Sequence, residues 1–169
     1  MEVVVLGLGA NYRNIHGKKG VKMTYKCRHF VLKELVNPSF LGLNESILWR
    51  LFDDRLLKGA DDIRDIYGAI MVNSGSWIDC GLRTMDSKNG AKWSAHKFGR
   101  ALDLHIRSIE KAASEIKDAE QRKKFKIKEY NKVREALMVN HKFDYLCFEH
   151  NISWLHIAVE NRDNRLFNP

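Results

Sequence analysis

Two apolar segments of the chain set ionisable side chains at alternate positions: "GRALDLHI", residues 99–106, and "SWLHIAVE", residues 153–160. In a strand, alternate residues share a face. Ala101, Asp103 and His105 then point one way, and Leu102, Leu104 and Ile106 the other. In the later segment Trp154, His156 and Ala158 share a face opposite Leu155, Ile157 and Val159. Polar groups on otherwise apolar strands are costly unless something pairs with them. If the two strands are neighbours, Asp103 and His156 converge on an open, wet face, while the aliphatic faces build a core.

His96 stands seven residues before Asp103, which in an unbroken strand puts it on the opposite face. Gly99 lies between them and permits a bend at the strand entry, so that His96 swings over to the same site. The result is two imidazoles and one carboxylate with room for a fourth ligand. That is the ligand set of a catalytic zinc ion, with metal–ligand distances of about 2.0–2.2 Å and a water in the open position. A lone histidine is ordinarily a satisfied structural group, so the inference rests on the three residues jointly. An iron(II) facial triad uses the same residue types. It wants its carboxylate two residues after the first histidine in a larger double-sheet barrel, and this chain offers neither. His105 shares the Asp103 face and either orients that carboxylate or faces solvent.

Around these strands the pattern is mostly helical. "CRHFVLKELV" has helical apolar spacing and runs into the break "NPS". "LNESILWRLFDDRLLKGADDIRDIYG" predicts a long amphipathic helix, capped by Asn44 or Ser46, interrupted at Gly59 and ending at Gly68. "AIMVNSG" predicts a short buried strand, followed by a loop from Ser76 to Trp93. Ser108 to Asn140 predicts two charged helices joined near Gln121–Phe125, and "FDYLCFEH" with "SWLHIAVE" predicts a hairpin. Together these give an α+β fold with a small antiparallel sheet flanked by helices. Residues 1–22 read as an N-terminal extension and 23–169 as one domain with a helical insertion at about 108–140. The glycines of "GLGANYRNIHG" are a weak nucleotide-loop signal, and Met23 would serve as an alternative start.

The net charge of +8 suggests an acidic partner: nucleic acid, a membrane surface or an anionic cell wall. Much of it sits in "DAEQRKKFKIKEYNK", which reads as a solvated helical face laced with i, i+4 pairs. Cys27, Cys80 and Cys147 form no CxxC pair, which fits a reducing compartment and argues against a disulfide framework. No segment approaches the roughly 20 apolar residues of a membrane span. The N-terminal apolar run lacks a preceding basic stretch and does not read as a signal peptide.

"SAHKFGRALD" reproduces the pattern SxHxxGxAxD, and "WLH" reproduces a distal WxH. Together they resemble the zinc D-alanyl-D-alanine carboxypeptidase and L-alanyl-D-glutamate endopeptidase family, whose core is shared with hedgehog N-terminal domains. "FDYLCFEHNISWLHIAVENR" is similar to the C-terminal end of short, phage-borne members. The resemblance implies that His96, Asp103 and His156 ligate Zn2+. It implies that Ser94 and Arg83 bind the substrate's carboxylate or carbonyl, a task suited to a fork of donors. Ser94 as a turn cap, or Arg83 paired with Asp79 or Asp86, is the ordinary alternative. Many family members place Glu or Asp three residues before the last histidine, where this chain has Ser153. Glu149 is the best substitute as catalytic base and Asp144 the second; His150, in the turn, is expected to be exposed. The implied activity is hydrolysis of peptidoglycan stem peptides at a D,D or L,D bond, by a monomeric phage lysis or virion-associated enzyme. Its partners are then the stem peptide and an anionic wall polymer, with neither nucleic acid nor membrane. Its location is the host cytoplasm before release, or the virion. The alternative is a wall-binding or structural module of the same fold with weak or no activity.

Overall fold

The computed structural model describes residues 24–160 and 164–168. The N-terminal extension, the "GLGANYRNIHG" loop and Met23 lie outside the described residues. The chain forms an α+β fold in the order α1 (Leu32–Leu35), α2 (Glu45–Arg50), α3 (Asp54–Tyr67), β1 (Ile70–Met71), β2 (Ala101–Ile106), α4 (Arg107–Ser114), α5 (Ala119–Met138), β3 (Cys147–Glu149), β4 (Leu155–Ala158) and β5 (Leu166–Phe167). The sheet order is β1-β2-β4-β3-β5. No helix among the described residues is long and apolar enough to cross a membrane.

The aliphatic half of the alternation in the two key strands works as expected, but the other face is not open and wet: Asp103, His105 and His156 are buried as well. Leu102, Leu104, Leu155 and Ile157 are fully buried and join one cluster with Leu56, Leu57, Ala60 and Ile63 of α3 and Tyr130, Val133 and Leu137 of α5. β2 and β4 pair antiparallel with Leu102 opposite Ile157, Leu104 opposite Leu155 and Asp103 opposite His156. A slip of one residue would turn the aliphatic side chains outward and the ionisable ones into the core. Core burial therefore fixes the register that sets Asp103 against His156.

Several boundaries differ from the sequence expectation, each for a local reason. The helix expected over residues 44–68 breaks at Leu51–Asp53 rather than at Gly59, because the Asp53 side chain accepts from Arg55 N (3.0 Å) and starts α3 anew. Gly59 sits inside α3, where a Cβ would lie 2.9 Å from Leu146 Cδ1, so it serves close packing. The join between α4 and α5 falls at residues 115–118 rather than near Gln121–Phe125, since Asp118 caps α5 by accepting from Gln121 N (2.7 Å). "CRHFVLKELV" forms only the single turn α1, and Val36 then bridges Leu82 in extended form. The sheet is not wholly antiparallel. β3 also pairs in parallel with β5, a two-residue strand too short to carry a recognisable period.

The helical insertion is tied directly to β2. Tyr130 on α5 accepts from Ile106 N (2.9 Å) and donates to Glu110 Oε1 (2.8 Å), and Lys126 Nζ lies 2.8 Å from Glu110 Oε2. Burial works to raise the Glu110 pKa, but the bonds from His105, Lys126 and Tyr130 outweigh it and hold the carboxyl at about 2. A folded-state value below the ordinary one contributes stability that is complete above the unfolded pKa and lost as pH falls toward the folded one. Glu110→Gln is therefore expected to lower unfolding stability at pH 7 by about 1–3 kcal/mol. Urea titrations should show the gap between variant and parent closing between pH ~4.5 and ~2; a gap independent of pH would contradict it.

Candidate metal centre

Asp103 and His156 meet across the β2–β4 pair with Oδ1 2.7 Å from Nδ1. His96 reaches them from the 3-10 turn Ala95–Phe98 that precedes β2. That turn ends on Gly99 at φ 62°, where a Cβ would sit 2.0 Å from Leu51 O, so only glycine fits the bend. His96 Nε2 lies 3.4 Å from both Asp103 Oδ1 and His156 Nδ1. All three side chains are buried, yet they edge an open cleft of about 500 Å³.

The loop before the turn fixes the geometry. Asp103 N donates to Cys80 O (2.7 Å), Arg83 N donates to His96 O (3.2 Å), and Leu82 N donates to Leu35 O (2.7 Å). Gly81 between them is packed so closely that a Cβ would lie 1.9 Å from Leu35 O. Its carbonyl stands 3.0 Å from His96 Nδ1. A carbonyl only accepts, so Nδ1 carries the proton and Nε2 turns its lone pair toward Asp103 and His156.

Burial pulls the His96 pKa below its ordinary value, which keeps the ring neutral and able to ligate. For Asp103 burial acts in the raising direction, but the neighbouring imidazoles, with the 2.7 Å hydrogen bond to His156, outweigh it and hold the carboxyl below the usual carboxylate range. The donor set is thus two imidazole nitrogens and an ionised carboxylate oxygen, all within 4.8 Å of one another. Donors on a tetrahedral ion at about 2.0–2.2 Å stand ~3.3–3.6 Å apart. Two of the three separations already match, and the 2.7 Å pair needs a small opening. The residues fit a divalent cation, and among the described residues they form the one such cluster.

Arg83 closes one side of the site. Its Nη2 donates to Asp103 Oδ2 (3.0 Å), its Nη1 to Asn89 O (3.2 Å) and its Nε to Asp79 O. Among the described residues its ion pair is with Asp103, while its charge also helps to hold the Asp79 carboxyl below its ordinary value. Ser94 starts the His96 turn, but its hydroxyl makes no capping bond and lines the cleft. Glu149, at the end of β3, places Oε2 4.0 Å from His156 Nδ1 and also lines the cleft. Asp144 stands elsewhere, bonded to His141 and Arg165, and takes no part in the cleft wall.

His105 corrects both expectations for it. The ring is buried, stacked on Trp77 at 4.0 Å, with Nε2 3.7 Å from Cys80 Sγ and Nδ1 3.5 Å from Glu110. Its hydrogen-bonding and stacking partners are Cys80, Glu110 and Trp77 rather than Asp103, and it is buried rather than turned to solvent. His150 is half-buried rather than exposed. Glu160 and Phe167 also stand on the cleft wall, where the sequence gives no sign of them. Phe167 meets His156 edge-on at 6.0 Å and arrives through the parallel strand β5, which had no sequence signal. The scattered tryptophans read as core or cleft lining, and Trp93, 69% exposed, lines the cleft while Trp49 is buried in the core. A smaller recess of about 290 Å³ shares Arg83, Asn89, Asp103 and Trp154 with the cleft.

No family model, curated protein or solved structure matches this chain.

The protein is expected to bind one equivalent of a divalent cation, with Zn2+ as the probe in equilibrium dialysis. His96→Ala, Asp103→Ala and His156→Ala should each abolish measurable binding. Gly81→Ala, which displaces the carbonyl held by His96, should weaken it by about 10–100-fold. Unchanged affinity in the three alanine variants would place the ion elsewhere.

Proposed function

We propose that this protein is a zinc-dependent peptidase acting on peptidoglycan stem peptides, working as a phage lysis or virion-associated wall enzyme. The observation that carries the reading is the convergence of His96 Nε2, Asp103 Oδ1 and His156 Nδ1 at an open cleft with the Glu149 carboxylate 4.0 Å from His156. The SxHxxGxAxD and WxH resemblance supports the choice of substrate class, and the donor set at an open cleft supports hydrolysis.

In this reading each residue has a physical task. A bound Zn2+ would polarise the scissile carbonyl and lower the pKa of a coordinated water to about 7. His96 and His156 would each offer a ring nitrogen to the ion, and Asp103 would contribute the negative charge. Glu149, which lines the cleft, would take a proton from water there and return it to the leaving amine. Arg83 acts first on Asp103, fixing the carboxylate rotamer. Its remaining N–H groups, with the Ser94 hydroxyl, face the substrate's carbonyl or terminal carboxylate. The net charge of +8 favours accumulation on an anionic wall polymer and makes binding to it salt-dependent.

One observation favours the module without turnover as a second reading: three of the Arg83 donor groups are already engaged by protein acceptors. Mass spectrometry of muropeptides after incubation with purified peptidoglycan separates the two. The peptidase reading expects new products that a chelator suppresses. It expects Glu149→Gln to reduce kcat by about 10²–10⁴ while Zn2+ affinity changes little. Full zinc occupancy with no cleavage by the parent protein would replace the enzyme with the binding module.

A further inference from the structure

The core stripe of α5 is Tyr130, Val133, Arg134 and Leu137, and the arginine in it is fully buried. A buried guanidinium is expensive to desolvate, and a well-packed apolar residue of similar volume is often as stable or more so. Among the described residues no carboxylate lies within 4 Å of it. Burial pulls its pKa down to about 10, with the field of Glu149 acting in the opposite direction, so it stays charged at neutral pH.

What Arg134 holds is specific. Nη2 donates to the carbonyls of Ile152 (3.1 Å) and Trp154, and Nη1 donates to Asn131 Oδ1 (2.8 Å). Asn131, nearly one helical turn earlier, grips Asn151 twice: Oδ1 accepts from Asn151 N (3.3 Å) and Nδ2 donates to Asn151 Oδ1 (3.1 Å). Asn151 has φ 60°, a left-handed conformation that asparagine tolerates better than most residues. The pair therefore holds both ends of the 151–154 turn. Glu149 lies two residues before that turn and His156 two residues after it. The rest of the centre, His96, Asp103 and Arg83, is fixed from the opposite side by the 79–83 loop.

The geometry points to Arg134, assisted by Asn131, as a positioning residue of the metal centre: by clamping the 151–154 turn it fixes the cleft carboxylate Glu149 relative to the ligand His156. Arg134 touches no reacting atom and acts through the backbone. The helical insertion thereby belongs to the working site, although it contributes no side chain to the cleft. The inference deepens the peptidase reading and rests on it for the role of Glu149, while the clamp itself is measurable without turnover.

The test uses the full chain as parent, Arg134→Met, Arg134→Lys and Asn131→Ala, with circular dichroism as the check of folding. Two readouts need no activity: amide hydrogen exchange of residues 150–157 in metal-free protein, and Zn2+ affinity by competition with a chromogenic chelator. Arg134→Met is expected to speed exchange in that segment at least tenfold relative to the β2 amides and to weaken Zn2+ binding about 10-fold, as for other groups that orient ligands. On muropeptides it should lower kcat at least tenfold with KM within threefold. Arg134→Lys should recover part of each change, since an ammonium still reaches one carbonyl. Exchange and affinity within twofold of the parent in a folded Arg134→Met protein would overturn the inference, as would a loss matched uniformly across the whole chain. If that variant does not fold, Asn131→Ala decides: faster exchange confined to 150–157 supports the clamp, and unchanged exchange overturns it. A parent that cleaves nothing removes the peptidase reading, while exchange and affinity still decide the clamp.

Discussion

The structure depends on the contact between Asp103 and His156 across two adjacent strands. Neither residue alone would hold an ion. The contact exists because Leu102, Leu104, Leu155 and Ile157 must face the helices, which leaves one register for β2 and β4. Hydrophobic burial thus does the positioning, and the ionisable residues take the other face as a consequence. A carboxylate with only 6% of its surface exposed then needs cationic and hydrogen-bonding neighbours. His156, His96 and Arg83 supply them.

Around that contact lie two supports built from opposite parts of the chain. On one side, the 79–83 loop is pinned to β2, to the His96 turn and to Leu35, so that the Gly81 carbonyl selects the His96 tautomer. On the other, α5 grips the turn between Glu149 and His156 through Arg134 and Asn131. Glu110, Tyr130 and Lys126 tie the same helix to the end of β2. Groups that fix the ligands from behind matter because misplacement of a ligand by a fraction of an ångström weakens metal binding and catalysis alike.

The centre was the most legible part of the sequence, because a two-residue period with Asp and His beside Ala encodes a face directly, and a glycine before it encodes a bend. The α+β class and the β3–β4 hairpin followed from the same periodicity. Helix boundaries were less legible: Asp53 and Asp118 act as caps in the middle of continuous helical patterns, and apolar spacing alone does not show where a cap interrupts it. β5 carried no signal, since two residues have no period, so the place of Phe167 beside His156 was invisible. His105 shared the alternation of Asp103, but Trp77 and Glu110 take up its ring, and nothing in the sequence shows those partners. Arg134 was hidden for a different reason. In a basic helix one more arginine reads as solvated, and only the tertiary fold shows that this one lies inside.

The most direct measurement is anomalous diffraction at the zinc edge from crystals of the protein grown with Zn2+. The account expects one strong peak about 2.0–2.2 Å from His96 Nε2, Asp103 Oδ1 and His156 Nδ1, with Glu149 across the open position. A peak held by other residues, or a fully occupied ion elsewhere with those three side chains still bonded only to one another, would contradict it.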